Sequence, residues 1–145
     1  MKRCLVVFIA LAFVFSMVDA ILAADGQVIV TSNILAESIT RDRSGGARIN
    51  RQILAFKAGR AASFQSLTTF MVPQPGYYSY RLVIVGPDNQ PRAFYSDSMQ
   101  TQQPDHLQQQ ITKWPNVNFN LAGVYQFIVE VNHSQIASFP IYATE

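Results

Sequence analysis

The chain has two imidazoles, His106 and His133. Zinc needs three or four ligands at defined spacing, and neither histidine sits in an H-x-H or H-x-x-x-H pattern. Both read as exposed polar residues, and no metal ligand is assigned. The single cysteine, Cys4, lies at the very start of the chain. Everything after it is without disulfides, thiolate sites or a cysteine nucleophile. A serine hydrolase places its nucleophile on a strained elbow, typically G-x-S-x-G, beside its base. No such run occurs. Tyr95-Ser96-Asp97-Ser98 sets an acid between two serines, but neighbouring side chains on a strand point to opposite faces. The carboxylates Glu37, Asp88, Asp97, Asp105 and Glu130 are scattered, and Asp88 and Asp105 read as a turn former and a helix cap. Gly45-Gly46 lacks the Lys-Ser/Thr of a phosphate loop. A non-enzymatic chain without a cofactor is the expectation, with a hydrolase as the remote alternative.

Charge offers one more candidate. Arg41, Arg43, Arg48, Arg51, Lys57 and Arg60 fall in one short segment, opposed only by Asp42. They read as a solvated loop and a charged edge strand that discourages sheet-to-sheet pairing. The alternative is a face that binds a glycan or an anionic polymer. The formal net charge of the whole chain is only +2, which gives no support to nucleic-acid binding. Gln100, Gln102, Gln103, Gln108, Gln109 and Gln110 read as a solvated connection, or as hydrogen-bonding groups for a sugar or a partner. Asn132-His133-Ser134 has the form of a glycosylation sequon.

The elements that must carry these residues begin after a leader. Lys2 and Arg3 precede an apolar run from Leu5 to Val18, and Ala20, Ala23 and Ala24 follow. Positive start, apolar centre and small-residue exit predict a signal peptide over residues 1–24, cut after Ala20 or Ala24. An uncleaved membrane anchor is the alternative. Residues 25–145 are then one exported domain, in the periplasm or outside the cell.

A repeat sets the fold of that domain. Gly76-Tyr77-Tyr78-Ser79-Tyr80 is echoed by Gly123-Val124-Tyr125-Gln126-Phe127. In both copies alternate residues are aromatic or aliphatic, which is the period of a half-buried strand. The inward set is Tyr78, Tyr80, Leu82 and Ile84 in one copy, and Tyr125, Phe127, Val129 and Val131 in the other. A slip of one residue would bury Arg81 or Glu130, so the register is fixed. The turns Gly86–Pro91 and Asn132–Gln135 follow, each leading to a further strand, Arg92–Ser98 and Ile136–Ala143. Gln27–Thr31, Ile49–Phe56, Phe64–Val72 and Val117–Leu121 read as strands too, while Asn33–Ile39 is open between strand and helical turn. Leu107, Ile111 and Trp114 at i, i+4 and i+7, after Asp105 and before Pro115, predict one short helix in a crossover. Trp114 reads as a core anchor.

Seven to eight short strands predict an all-β antiparallel sandwich. The Leu121-Ala122-Gly123-Val124-Tyr125-Gln126-Phe127 run resembles the tyrosine corner of immunoglobulin-like sandwiches. Tyr125 takes the place of the corner tyrosine and Phe127 that of the second cysteine. The order of elements, ending in Phe139-Pro140-Ile141, is similar to that of small bacterial exported domains of this fold without known function. The resemblance implies an immunoglobulin-like sandwich and no particular chemistry. The expected role is that of an exported interaction or structural domain binding a protein partner by an edge strand or a loop face, with Ile136–Ala143 and the arginine-rich segment as the edges.

Overall fold

A computed structural model describes residues 26–145. The leader, its cleavage points and Cys4 lie outside the described residues. Nine strands follow in order: β1 (Ile29–Arg41), β2 (Ala47–Gln52), β3 (Ala55–Lys57), β4 (Arg60–Val72), β5 (Gly76–Val85), β6 (Pro91–Thr101), β7 (His106–Phe119), β8 (Gly123–Val131) and β9 (Ser134–Thr144). They form a four-stranded sheet, β2-β1-β4-β7, and a five-stranded sheet, β3-β9-β8-β5-β6. All pairings are antiparallel except the three-residue match of β3 with β9. The order β1-β4-β7 against β9-β8-β5-β6 corresponds to A-B-E against G-F-C-C′ of immunoglobulin-like sandwiches.

The period-two pattern explains the core. Tyr80, Leu82 and Ile84 on β5 and Tyr125, Phe127 and Val129 on β8 are buried between the sheets, and Tyr78 is half-buried at the rim. Each such side chain contributes about 1.5–3 kcal/mol on leaving water. From the other sheet Trp114 meets Phe127 edge-on with ring centroids 5.6 Å apart. Its Nε1–H donates to Ser66 Oγ at 2.9 Å, so the one polar atom of the indole is satisfied in the interior.

The repeated Gly-x-Tyr text has a structural counterpart. Tyr125 Oη donates to Leu121 O at 3.0 Å and accepts from Leu121 N–H at 3.2 Å. Tyr78 Oη donates to Gln74 O at 2.9 Å. In both copies the tyrosine reaches back four residues and ties the incoming loop to the strand. Gly123 has φ +138°, a conformation open to glycine, and Pro87 packs where a side chain would stand.

Two expectations are corrected. There is no helix among the described residues, and the strands number nine. The segment expected to be helical is instead the first part of β7, His106 to Trp114, paired along β4 from Val72↔His106 to Phe64↔Trp114. The i, i+4, i+7 spacing misled because β7 buries side chains on both faces. Thr112 and Trp114 point into the core, whereas Ile111 packs on the other side of the sheet. Asp105 has φ +50°, unlike a helix cap, and serves the turn before β7. Asn33–Ile39 belongs to β1, and Ile49–Phe56 divides between β2 and β3.

Ile111 marks a second layer. Ile34, Leu67 and Ile111 stand opposite one another across β1, β4 and β7. Ala36, Ile39 and Ala47 pack onto this row, and Leu67 is thereby only 4% exposed. Ile39 N–H donates to Gln65 Oε1 at 2.6 Å, and Arg41 Nη2 donates to Gln109 O on β7 at 2.6 Å. The end of β1 and its partner β2 therefore fold over the outer face of the four-stranded sheet as a roof.

Candidate functional site

The six basic residues do not converge. Arg41, Arg43 and Arg48 belong to the roof and its tip. Arg41 spans two carbonyls there, Gln109 O and Gly45 O, the latter at 3.1 Å. Arg51 is paired with Glu37 at 3.0 Å. Lys57 lies on β3 in the other sheet, opposite Thr144, and Arg60 opens β4 opposite Phe119. Gln109 is opposite Thr69, nine residues along β4 from Arg60. At ~3.3 Å per residue the roof tip and the Lys57/Arg60 turn are about 30 Å apart. The tip is held by Asp42, whose Oδ1 accepts from Ser44 N–H at 2.9 Å, Ser44 Oγ at 2.6 Å and Gly46 N–H at 2.8 Å. The Ser44 hydroxyl, with the Gly46 N–H, holds this carboxyl below the usual carboxylate range.

The groups with catalytic potential stay apart as well. His106 begins β7, and His133 stands in the β8–β9 turn with φ +69°. Among the described residues no three His, Cys, Asp or Glu side chains are grouped to hold a metal ion. Tyr95 Oη donates to Asp97 Oδ2 at 2.8 Å, and Ser98 N–H donates to Asp97 Oδ1 at 2.8 Å. The Asp97 hydrogen bond, then burial, raises the Tyr95 phenol above its ordinary value. Burial first, then the nearby Tyr95 and Asp97, raises Tyr80. Both phenols stay protonated at neutral pH, as structural donors. Asn132 of the sequon-like triplet accepts from Ser79 N–H at 3.1 Å through Oδ1, which pins the β8–β9 turn to β5.

A surface that sequence reasoning did not single out is the outer face of the five-stranded sheet. Its residues follow from the parity that buries Leu82 and Phe127. Tyr142 and Val124 stand side by side on β9 and β8, then Pro140 and Gln126. The next row is Ser138, Ile128, Val83 and Phe94. Tyr77 is 70% exposed, Phe94 68%, Tyr142 50% and Val124 43%. On the Tyr77 side of this apolar row the face turns polar. A shallow cleft of about 160 Å³ is lined by Ser79, Arg81, Ser96, Glu130 and His133, among others. Arg81 bridges the two regions, 3.8 Å from Glu130 and 5.4 Å from the centre of the Phe94 ring. The signal was present in sequence as Phe94, Val124 and Tyr142 at solvent-side positions of otherwise alternating strands.

The sheet edges are less inviting. Ile136–Ala143, expected as an edge, lies in β9 between β8 and β3. β3 covers only Tyr142–Thr144. Thr144 turns its carbonyl outward to Ala58 N–H, so the even-numbered residues of this stretch face the open side, and Pro140 presents no donor there. β6 carries Asp97 at a core-directed position, opposite Tyr80, which discourages further pairing. β2 carries Arg48 and Arg51.

No family model and no curated protein matches the chain. Twenty-five solved chains match in structure. A Pseudomonas fluorescens alkylpurine DNA glycosylase, solved bound to DNA containing an abasic-site analogue, is similar over 83% of this chain with 9% identity and a TM-score of 0.47. This chain spans 31% of that glycosylase. An immunoglobulin-like protein from Pseudomonas aeruginosa is similar over 83% of this chain and 99% of its own, with 12% identity and a TM-score of 0.43. Likenesses at this level carry no argument about activity.

Proposed function

We propose that the chain is a non-enzymatic exported interaction domain that binds a protein partner through the outer face of its five-stranded sheet. The observation that carries this reading is the asymmetry of the two outer faces. One is roofed by the chain's own β1–β2 hairpin, down to 4% exposure at Leu67. The other leaves Phe94, Val124 and Tyr142 in water around Val83 and Ile128. An apolar centre with aromatic anchors beside a polar, arginine-bearing margin is the anatomy of a protein interface. From Tyr77 to the level of Val85 the face is about 26 Å long, and across four strands about 19 Å wide, the scale of a transient protein contact. Export rests on the leader pattern of Lys2-Arg3 and the apolar run. A glycan or anionic-polymer mode on the basic segment has less support, because its charges are split between the roof tip and the Lys57/Arg60 turn.

The test is site-specific photo-crosslinking in the native envelope, with the reactive group placed at position 94 or, as a control, at position 43. A defined adduct is expected from position 94 alone, and Val124→Ser with Tyr142→Ser should abolish it. Equal adducts from both positions, or none from position 94 across repeated preparations, would sink the assignment.

A further inference from the structure

β7 is the outer strand of its sheet, and its first eight residues, His106 to Lys113, contain no proline and no acid. Those are the guards that the β9 and β6 edges carry. The direction of its backbone groups follows from two hydrogen bonds. Thr31 Oγ1 donates to Thr69 O from the β1 side, so Thr69 turns its main-chain groups away from β7. Its partner Gln109 must then turn its own outward, as the hydrogen bond from Arg41 to Gln109 O confirms. Leu107, Gln109 and Ile111 thus turn their N–H and C=O groups to an open edge, where no strand pairs with them. At the middle of this array, and nowhere else along it among the described residues, a side chain from the far side of the sheet covers a carbonyl.

We propose that Arg41 is a latch over the β7 edge, and that the surface it blocks fits a second copy of this chain. Antiparallel pairing about a two-fold axis through Gln109 is self-complementary. It sets Leu107 against the partner's Ile111 and Gln109 against the partner's Gln109, so that every outward group of this stretch meets a mate. Leu107, 54% exposed in the single chain, gains an apolar neighbour on the same face. The Arg41 guanidinium sits at that axis and must leave before the strands can join. The roof that delivers Arg41 to β7 is therefore also what keeps this edge single. This inference is independent of the partner proposed for the other sheet.

The experiment is sedimentation analysis of the purified protein beside Arg41→Ala, with Arg41→Gln as the second variant should the alanine chain lose its thermal transition. The wild type is expected at monomer mass and the latch variant at twice that mass. Amide exchange at Leu107, Gln109 and Ile111 should slow in the variant only. Adding Gln109→Pro, which removes one outward donor at the axis, should return the variant to monomer mass. A folded Arg41 variant that stays monomeric, a wild type already paired through β7, or a dimer that survives Gln109→Pro would each overturn the proposal.

Discussion

Replacing Tyr125 by phenylalanine keeps the ring, and with it the edge-on contact to Phe119 at 5.0 Å, and removes only Oη. That atom makes two hydrogen bonds, to the carbonyl and from the N–H of Leu121. Each intramolecular hydrogen bond contributes about 0.5–1.5 kcal/mol net, so Tyr125→Phe should cost about 1–3 kcal/mol. For a domain of this size one kcal/mol corresponds to roughly 4 °C in Tm, which gives a fall of about 4–12 °C. Tyr78→Phe is the internal control. The same motif supplies it, but its Oη makes one bond at an exposed rim, so about 0.5–1 kcal/mol and about 2–4 °C are expected. Urea and thermal denaturation of the two variants, with unchanged m-values, would read both numbers. Equal shifts for the two substitutions, or a Tyr125→Phe change below about 0.5 kcal/mol, would refute the claim that the second corner anchors the Leu121 loop.

Ser66→Ala removes the acceptor of the buried Trp114 Nε1–H and should cost about 1–3 kcal/mol by equilibrium unfolding; a neutral result would contradict an unmet donor in a dry interior. Gly123→Ala meets both an unfavourable φ of +138° and the Pro87 Cβ at 3.3 Å, and about 1–3 kcal/mol should be lost. The Asp42 carboxyl is lowered in the folded state, so its contribution to the hairpin tip is complete above the ordinary carboxylate pKa and disappears as pH falls through the lower, folded value. The amide shifts of Ser44 and Gly46 should report a midpoint below 3.8, and a midpoint above it would be inconsistent with the bonds to Oδ1. Tyr80 is raised in the folded state, so stability should decline once pH exceeds the unfolded phenol's value near 10, and Tyr80→Phe should flatten that decline.

What could be read in advance followed local physics. Strands β5 and β8 were legible because one face is dry and the other wet, which writes the period directly into the residues. The Tyr125 corner was legible because its donor and acceptor are four residues apart. β7 was not, because a strand that is dry on both faces at Ile111, Thr112 and Trp114 loses its alternation, and three apolar residues then fall by chance at helical spacing. The roof was illegible for another reason. Ile39 and Arg41 find their partners on β4 and β7, Gln65 and Gln109, and nothing local announces a contact spanning 68 residues. The same folding-over divided a basic segment that is continuous in sequence, and it left the five-stranded sheet as the bare face.

The position of β9 has a temporal consequence. It is the strand between β3 and β8, yet it is made from residues 134–144. Until those residues leave the ribosome, Ala55–Lys57 have no strand to lie against and one flank of β8 stands open. β5, β6 and β8 can pair with one another earlier, but the larger sheet closes over its β3 margin only when this last segment arrives.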